Sequence, residues 1–150
     1  MTLWKMIWLM EDNSAAIQGL QYQIAGYERR CAELYEEIHV LREHLEEVSE
    51  AKGNTLRQRA EFEETLGATR MTVINLGCLS RLKAASGFAS SMASLLSGRE
   101  YSFACDTFED IDDDFRREMH RLEDEICDRE RMISCFGQEI SYLRGRMAYL

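Results

Sequence analysis

The sequence predicts an all-α protein, an elongated antiparallel helical hairpin or coiled coil with a glycine turn near residue 98. Two observations support this fold class. The 150 residues include no proline, although an average usage of about 5% would give roughly seven. Apolar residues also recur at alternating steps of three and four over two long stretches, which is the spacing of a helical seam. Long uninterrupted helices are therefore favoured over loop-rich all-β or α/β folds.

The chain is predicted to form a single helical domain. Its N-terminus is short and apolar, and Asn13 and Ser14 are a suitable N-cap for the helix that follows. A helical arm then leads to the glycine turn, and a second arm returns from it. The predicted segments are 1–13 for the apolar N-terminus, 14–96 for the N-terminal arm and 100–150 for the C-terminal arm.

The N-terminal arm contains a heptad seam, and Glu, Arg, Gln and His fill many of the positions between its apolar residues. The seam residues are Ile17, Leu20, Ile24, Tyr27, Cys31, Leu34, Ile38, Leu41, Leu45 and Val48. The arm weakens at residues 51–54, because Gly53 costs a helix about 1 kcal/mol relative to Ala and Asn54 is able to cap a new helix. Since the heptad phase continues to Leu76, both a kink and a turn are compatible with this stretch.

The end of the N-terminal arm is rich in Ala, Ser, Gly and Met. Phe88, Met92 and Leu95 keep helical spacing there, and the small residues let helix backbones approach closely; a loosely helical low-complexity segment is the alternative. Gly98 follows at the position of a C-terminal αL cap. The sequence therefore predicts the sharp corner of the chain at Gly98.

The C-terminal arm has a second apolar stripe, with one seven-residue step across Arg129. Its residues are Phe108, Ile111, Phe115, Met119, Leu122, Ile126, Ile133, Phe136, Ile140, Leu143, Met147 and Leu150. Acidic residues cluster near its start, and Arg144 and Arg146 lie near its end, as the helix dipole favours. The aromatic, Ile and Met content exceeds what a narrow seam needs, which predicts a helical partner or self-association.

The net charge of −9 and the pI near 4.9 argue against a nucleic-acid-binding protein. The charge is uneven, since residues 51–99 carry 7 basic and 3 acidic residues and residues 100–150 carry 7 basic and 14 acidic ones. A basic middle that lies beside an acidic return arm is compatible with this pattern. Solvated helix faces are the simpler interpretation.

No membrane span is predicted, because no run of eighteen apolar residues occurs. The apolar start is short, lacks a preceding basic region and is followed at once by Glu11 and Asp12, so we expect a leaderless protein without membrane contact. An adaptor that contacts a membrane face through Trp4–Met10 is the alternative. The five cysteines form no CxxC pair and no disulfide framework. They indicate synthesis in a reducing compartment, the cytoplasm.

No motif predicts catalysis, a metal site or a cofactor. Asp110–Asp114 superficially suggests a calcium loop, but Phe115 and Arg121 occupy the positions where an EF-hand has Gly and Glu. The three histidines form no HExxH motif, and neither GxSxG nor GxxxxGK[ST] occurs. Because a two-armed coil offers little concave surface, the sequence predicts a non-enzymatic protein that acts through binding.

The residues at the predicted turn, Leu96-Ser-Gly98-Arg-Glu-Tyr-Ser-Phe103, resemble the helix-turn-helix centre of the WXG superfamily. In that family Trp-x-Gly is followed by a small residue and an aromatic one; here Leu96 replaces the tryptophan. Residues 89–142 are similar to small YwqH-like helical proteins of Gram-positive bacteria, which are encoded beside LXG toxins. The resemblance implies a partner of a toxin that leaves the cell by type VII secretion.

Such a relative is expected to bind the helical N-terminal region of the toxin, together with a second small helical protein, and to target it for export. The resemblance also implies a Phe-x-x-x-Asp export motif at Phe108 and Asp112, exposed on one helix face, and export of the chain with its cargo. A chance match in an acidic amphipathic helix is the alternative for this pair. The competing function is a self-associating coiled-coil scaffold or tether unrelated to secretion.

Overall fold

The computed structural model describes residues 2–79 and 82–150. Met1, in the predicted apolar N-terminus, and Ser80 and Arg81, in the predicted N-terminal arm, lie outside the described residues. The structure consists of three helices, α1 (Leu3–Gly77), α2 (Lys83–Ser97) and α3 (Arg99–Ala148). No strand occurs in the described ranges. The prediction of an all-α protein is therefore confirmed.

The chain divides into two compact units. The first unit contains Met1–His44 and Leu122–Leu150, and the second contains Leu45–Arg121. In the first unit, the start of α1 packs against the end of α3. In the second unit, the remainder of α1 packs against α2 and the start of α3. Each unit is described by itself below.

The core of the first unit is the predicted seam packed against the predicted stripe. Leu20 and Ile24 of α1 form a buried cluster with Ile140 and Leu143 of α3, and Tyr27 and Met147 border it. Because these residues lie three or four positions apart on each helix, a single face of each helix is buried. These packed side chains form the hydrophobic core of the unit.

The two segments of the first unit run antiparallel. Asn13 Nδ2 donates a hydrogen bond of 3.3 Å to the Leu150 carbonyl, and further along α1 the Glu37 carboxylate accepts a 2.8 Å hydrogen bond from Arg129. Residue numbers thus rise on α1 while those of the contacting residues fall on α3. This direction agrees with the antiparallel pairing that the sequence predicts for the two arms.

In the second unit, α1 contacts both α2 and α3. The Phe62 and Phe108 rings lie 5.7 Å apart. Further along α1, the Arg70 guanidinium donates a 2.8 Å hydrogen bond to the Leu96 carbonyl and lies 4.7 Å from the centroid of the Tyr101 ring. The order of these contacts is again antiparallel.

Gly98 forms a bend between α2 and α3, but a reversal of the chain at this residue is not confirmed. Arg70 contacts Leu96 on one side of the bend and Tyr101 on the other, so α1 borders both sides of it. The predicted αL cap is wrong, because Gly98 has φ −89° and ψ −158°, an extended conformation. Its N–H approaches the Leu95 carbonyl at 3.5 Å, which ends α2 without a left-handed residue.

Two predicted boundaries within α1 differ from the structure. Asn13 and Ser14 lie inside the helix and do not cap it, since the helix begins at Leu3. Residues 51–54 are helical as well, so a turn at Gly53 is wrong and the helix continues. The reason is the uninterrupted heptad phase, whose burial outweighs the propensity cost of one glycine.

The buried face of α2 is made by a small residue. Ala89 is the buried residue of this helix and Met92 is half-buried, whereas Phe88 and Leu95 are each 56% exposed. A Cβ atom placed on Gly77 of α1 would lie 3.7 Å from the Cβ of Ala89. The two backbones therefore approach closely at Gly77 and Ala89, where both residues are small.

We predict opposite effects of alanine at two glycines. Gly53→Ala should raise the free energy of unfolding by up to about 1 kcal/mol, because its Cβ meets no atom within 4 Å and alanine favours a helix. Gly98→Ala should lower it, because its Cβ would lie 2.6 Å from the Ser94 carbonyl oxygen. Urea unfolding followed by circular dichroism measures both. A loss of stability in Gly53→Ala would contradict a continuous helix there.

Leu34→Ala and Leu122→Ala should each lower the free energy of unfolding by about 2–5 kcal/mol, because these side chains are fully buried and their truncation leaves cavities. Val40→Ala is the matched control, since Val40 is 60% exposed and should change stability by about 0.5 kcal/mol or less. Thermal and urea unfolding measure all three variants. Equal effects at buried and exposed positions would contradict the described packing.

Candidate interaction surfaces

The predicted seam and stripe residues lie on the packed faces of the two units. Leu20, Ile24, Leu34 and Ile38 are buried on α1. The remaining proposed seam and stripe positions are buried or half-buried: Ile17, Leu41, Leu45, Phe115, Met119, Ile126, Ile133, Phe136, Ile140 and Leu143. The ends of the predicted stripe differ, because Ile111 is 37% and Leu150 is 48% exposed. These faces are therefore occupied by the chain itself.

Arg129 fills the seven-residue gap between Ile126 and Ile133 with an ion pair. Its Nε donates a 2.8 Å hydrogen bond to Glu37, and the other oxygen of Glu37 accepts one of 3.2 Å from Arg30. Arg129 lies three residues after Ile126 and four before Ile133, so it continues the three-and-four spacing. This layer of charged side chains interrupts the apolar seam, and the charges of Arg129 and Glu37 compensate each other across the two helices.

The carboxyl group of Glu37 is the titrating centre of this layer. The hydrogen bond from Arg129 is the largest influence and lowers the pKa of Glu37 below its ordinary value of 4.5; desolvation opposes this shift and the charge of Arg30 adds to it. The ionised form of Glu37 is therefore favoured by its partners. Because the layer is partly exposed, its main contribution is to the relative position of the helices rather than to stability.

The proposed export pair is half-buried in the second unit. The Phe108 side chain is half-buried against Phe62. The Asp112 side chain is 17% exposed and lies 2.8 Å from the Arg116 guanidinium. The expectation that this aromatic and this carboxylate are both exposed is therefore wrong, because they belong to the face of α3 that also packs.

The residues of the predicted turn have three different environments. Leu96 is half-buried and its carbonyl oxygen accepts the hydrogen bond from Arg70. Gly98 is half-buried in the bend, whereas Phe103 is 71% exposed one turn into α3. The motif therefore combines one packed residue, one bend and one exposed aromatic ring.

Exposed apolar side chains form the first candidate surface, which we call the outer surface of the second unit. Phe88 and Leu95 lie two helical turns apart on α2, and Phe103 on α3 is also exposed. On α1, Met71 and Ile74 are 58% and 57% exposed. Ile74 also lines an apolar groove of about 220 Å³ between α1 and α2, together with Arg70, Val73, Ala93, Leu96 and Ser97.

The second candidate surface is the N-terminal segment, residues 3–10 of the first unit. Trp4 and Trp8, one helical turn apart, are 74% and 61% exposed. The other apolar side chains of the segment are also exposed: Leu3, Met6, Ile7, Leu9 and Met10. This density of exposed apolar surface is unusual for a helix of a globular protein.

The sequence interpretation left out the charged layer and the N-terminal segment, although the spacing rule indicates both. Arg129 is the residue in the gap of the stripe, and Glu37 lies next to seam residue Ile38. Counting backwards from Ile17 in steps of four and three gives Asn13, Met10, Met6 and Leu3, so the N-terminal segment continues the seam. The exposure of Phe88 and Leu95 had no such signal, because it depends on which face of α2 meets α1.

Neither a metal-binding group nor a membrane-spanning helix occurs in residues 2–79 and 82–150. No group of three or more His, Cys, Asp or Glu side chains there is placed to hold a metal ion. None of the helices has a stretch that is both long and apolar enough to cross a bilayer. Cys78 and Cys135 are exposed thiols, and Cys31, Cys105 and Cys127 are half-buried ones.

We predict that Glu37→Gln lowers stability at neutral pH and that the difference from the parent chain disappears in acid. A depressed carboxyl pKa stabilises the fold above the pKa of the unfolded chain, and this contribution is lost as the pH falls through the folded value. The difference should therefore narrow below about pH 4.5. Urea unfolding at a series of pH values measures it.

Glu36→Gln is the matched control for Glu37→Gln, because it removes an exposed carboxylate from the neighbouring position. A surface change of this kind should alter stability by about 0.5 kcal/mol or less. A difference between Glu37→Gln and the parent chain that stays constant down to strongly acidic pH would contradict the described ion pair.

Comparison with known proteins adds no relative to this description. No family model, no curated protein and no solved structure matches the chain. The resemblance of residues 96–103 to the WXG superfamily remains a prediction, and so do the roles that it implies for Phe108 and Asp112.

Proposed function

We propose that the protein is a non-enzymatic helical binding partner and that the outer surface of the second unit receives a helix of another protein. The observation that carries this proposal is the set of exposed apolar side chains on three helices, with Phe88, Leu95 and Phe103 among them. The groove beside Ile74 offers a site for one apolar side chain of the partner. Recognition of an amphipathic helix by an apolar groove uses such anchors.

The accessible surface of the chain is larger than expected for a folded monomer of its mass, which supports the proposal of a partner. It amounts to 11510 Å², whereas a folded monomer of 17.4 kDa is expected to expose about 7,900 Å². The chain thus leaves much of its surface in water when alone. Each added helix would bury part of this surface, as the further helices of a bundle do.

The partner that we propose is the helical N-terminal region of an LXG-type toxin, which the chain would stabilise and help to target to type VII secretion. The resemblance around Leu96, Gly98 and Phe103 supports this choice. A second small helical protein of the same system is a further partner under this proposal, and the chain would leave the cytoplasm with its cargo. The antiparallel contacts inside each unit are compatible with the hairpin that such a partner is expected to form.

The second candidate function is a self-associating coiled-coil scaffold or tether. The exposed N-terminal segment favours it, because apolar side chains of one chain are able to bury those of another. The two functions differ at the second unit. A toxin partner should bind a helix of another protein on the outer surface of the second unit, whereas a scaffold should bind no other protein there.

Co-expression of the chain with the N-terminal region of an LXG-type toxin tests the proposal. We expect a complex that co-purifies, and we expect Phe88→Gln combined with Leu95→Gln to reduce the captured toxin at least tenfold, because both side chains are removed from the binding surface. Tyr22→Gln combined with Tyr35→Gln is the matched control on the first unit, where both rings are exposed. Equal capture by both double variants would overturn the assigned surface.

Secretion of the toxin tests the export pair. Phe108→Ala combined with Asp112→Asn should abolish export while the complex still forms, if these residues act as the motif. Phe62→Ala is the control, because it removes the same ring contact and leaves the pair in place, so export should continue. Unchanged export in the Phe108 and Asp112 variant would remove the assignment.

A further inference from the structure

The N-terminal segment (residues 3–10) presents apolar side chains on all sides. Leu3, Trp4 and Met10 are 79%, 74% and 71% exposed, and Met6, Ile7, Trp8 and Leu9 are each about half exposed or more. Lys5 is the one charged residue of the segment. A helix that is apolar all round is normally surrounded by other apolar groups. The segment is therefore as apolar as a buried helix, yet its side chains are exposed.

The segment continues the seam that α3 covers elsewhere in the first unit. Leu3, Met6, Met10, Asn13, Ile17 and Leu20 follow one another at steps of three and four. Leu20 is 7% exposed within the core cluster, Ile17 is half-buried, and Met10 is 71% exposed. The seam thus passes from covered to uncovered around Asn13, whose side chain contacts the Leu150 carbonyl. The opposite side of the same segment, which carries Trp4 and Trp8, is uncovered as well.

A bilayer surface is a poorer occupant than a helix. Interfacial helices have one apolar face and a polar face rich in Lys and Arg, whereas the apolar residues here surround the segment and Glu11 and Asp12 follow it directly. These carboxylates are exposed and would be repelled by anionic headgroups. The segment is also much shorter than the roughly 20 residues needed to cross a membrane.

The charges at the two ends of the segment are complementary in one orientation. Lys5 lies near one end, and the acidic pair Glu11 and Asp12 lies at the other. At 3.6 residues per turn, Lys5, Glu11 and Asp12 lie on the same side of the helix as Trp4 and Trp8. When two copies pair antiparallel along this side, with Trp8 opposite Trp8 of the second copy, Lys5 lies opposite Glu11 of that copy. Parallel pairing would instead place like charges side by side, which is unfavourable.

We propose that the N-terminal segment binds the same segment of a second copy of this chain, antiparallel and about a twofold axis. The interface is isologous, since each copy contributes the same side chains. Tryptophan side chains bury about 150–250 Å² each, so the four in the dimer cover about half of a standard interface of roughly 1,600 Å². This pairing does not depend on the proposed toxin partner, which binds the second unit.

The intrinsic fluorescence of the full chain reports this pairing directly, because Trp4 and Trp8 are its two tryptophans. As the concentration rises through the micromolar range, the emission should shift to the blue while light scattering shows the mass doubling. Ile7→Gln combined with Leu9→Gln keeps both tryptophans and should weaken the dimer at least tenfold. Tyr22→Gln combined with Tyr35→Gln is the matched control and should leave the dimer unchanged. Far-ultraviolet circular dichroism verifies that each variant is folded.

A charge-reversed variant, Lys5→Glu with Glu11→Lys and Asp12→Lys, tests the orientation. The antiparallel dimer predicts that this triple variant and the parent chain each pair with themselves and do not mix. Parallel pairing predicts the reverse, a preferred heterodimer of the two chains. Affinity capture of one tagged chain from an equal mixture distinguishes these results, and a heterodimer would overturn the antiparallel arrangement.

Three other results would overturn the proposal. The first is a monomer with red-shifted tryptophan emission throughout the micromolar range. The second is a dimer that survives Ile7→Gln with Leu9→Gln, which would place the interface elsewhere. The third is a blue shift that requires phosphatidylcholine vesicles while the chain in buffer stays monomeric, which would assign the segment to a lipid surface. None of these results bears on toxin binding by the second unit.

Discussion

Burial of one narrow stripe on each helix is the constraint on which the remaining structure depends. In the first unit, Leu20 and Ile24 are buried only because Ile140 and Leu143 reach them from α3. A proline within either helix would remove a backbone hydrogen bond and bend the stripe away from its partner. The absence of proline, the steps of three and four, and the antiparallel contacts are consequences of this one requirement. Such packing covers one face of a helix and leaves the others to water.

The charged layer at Arg129 modifies this apolar packing. An uninterrupted seam of Leu and Ile would pack almost equally well after a shift of one heptad, since the same side chains recur every seven residues. Glu37 and Arg129 meet across the helices at 2.8 Å, and a shift of one heptad would separate them and place Arg129 opposite Arg30 or His44. The cost of that misplacement defines one register. The layer thus contributes specificity where the apolar residues contribute stability.

The amino-acid pattern predicts the helices and their buried faces better than it predicts where the helices begin, end and bend. Seam residues such as Leu34 and Ile38 are buried as the spacing indicates, because this burial follows from periodicity alone. Asn13 and Gly53 have the local preferences of helix boundaries, yet they lie within α1, since packing along the whole helix outweighs a single residue's propensity. Phe108 belongs to the predicted stripe, so its contact with Phe62 follows from the same spacing. The outer surface of the second unit, in contrast, depends on how closely α2 approaches α1.

The attachment of α2 to α1 has a consequence for motion. Of the fifteen residues of α2, Ala89 is the buried one, and a hydrogen bond from Arg70 to the Leu96 carbonyl joins α2 to α1 near the bend. A segment with so little buried apolar area opens locally at a small fraction of the free energy of global unfolding. Amide protons of α2 should consequently exchange with solvent much faster than those around Leu34 or Leu122. Opening of α2 would also expose the lining of the groove that it forms with α1, of which Val73 is part.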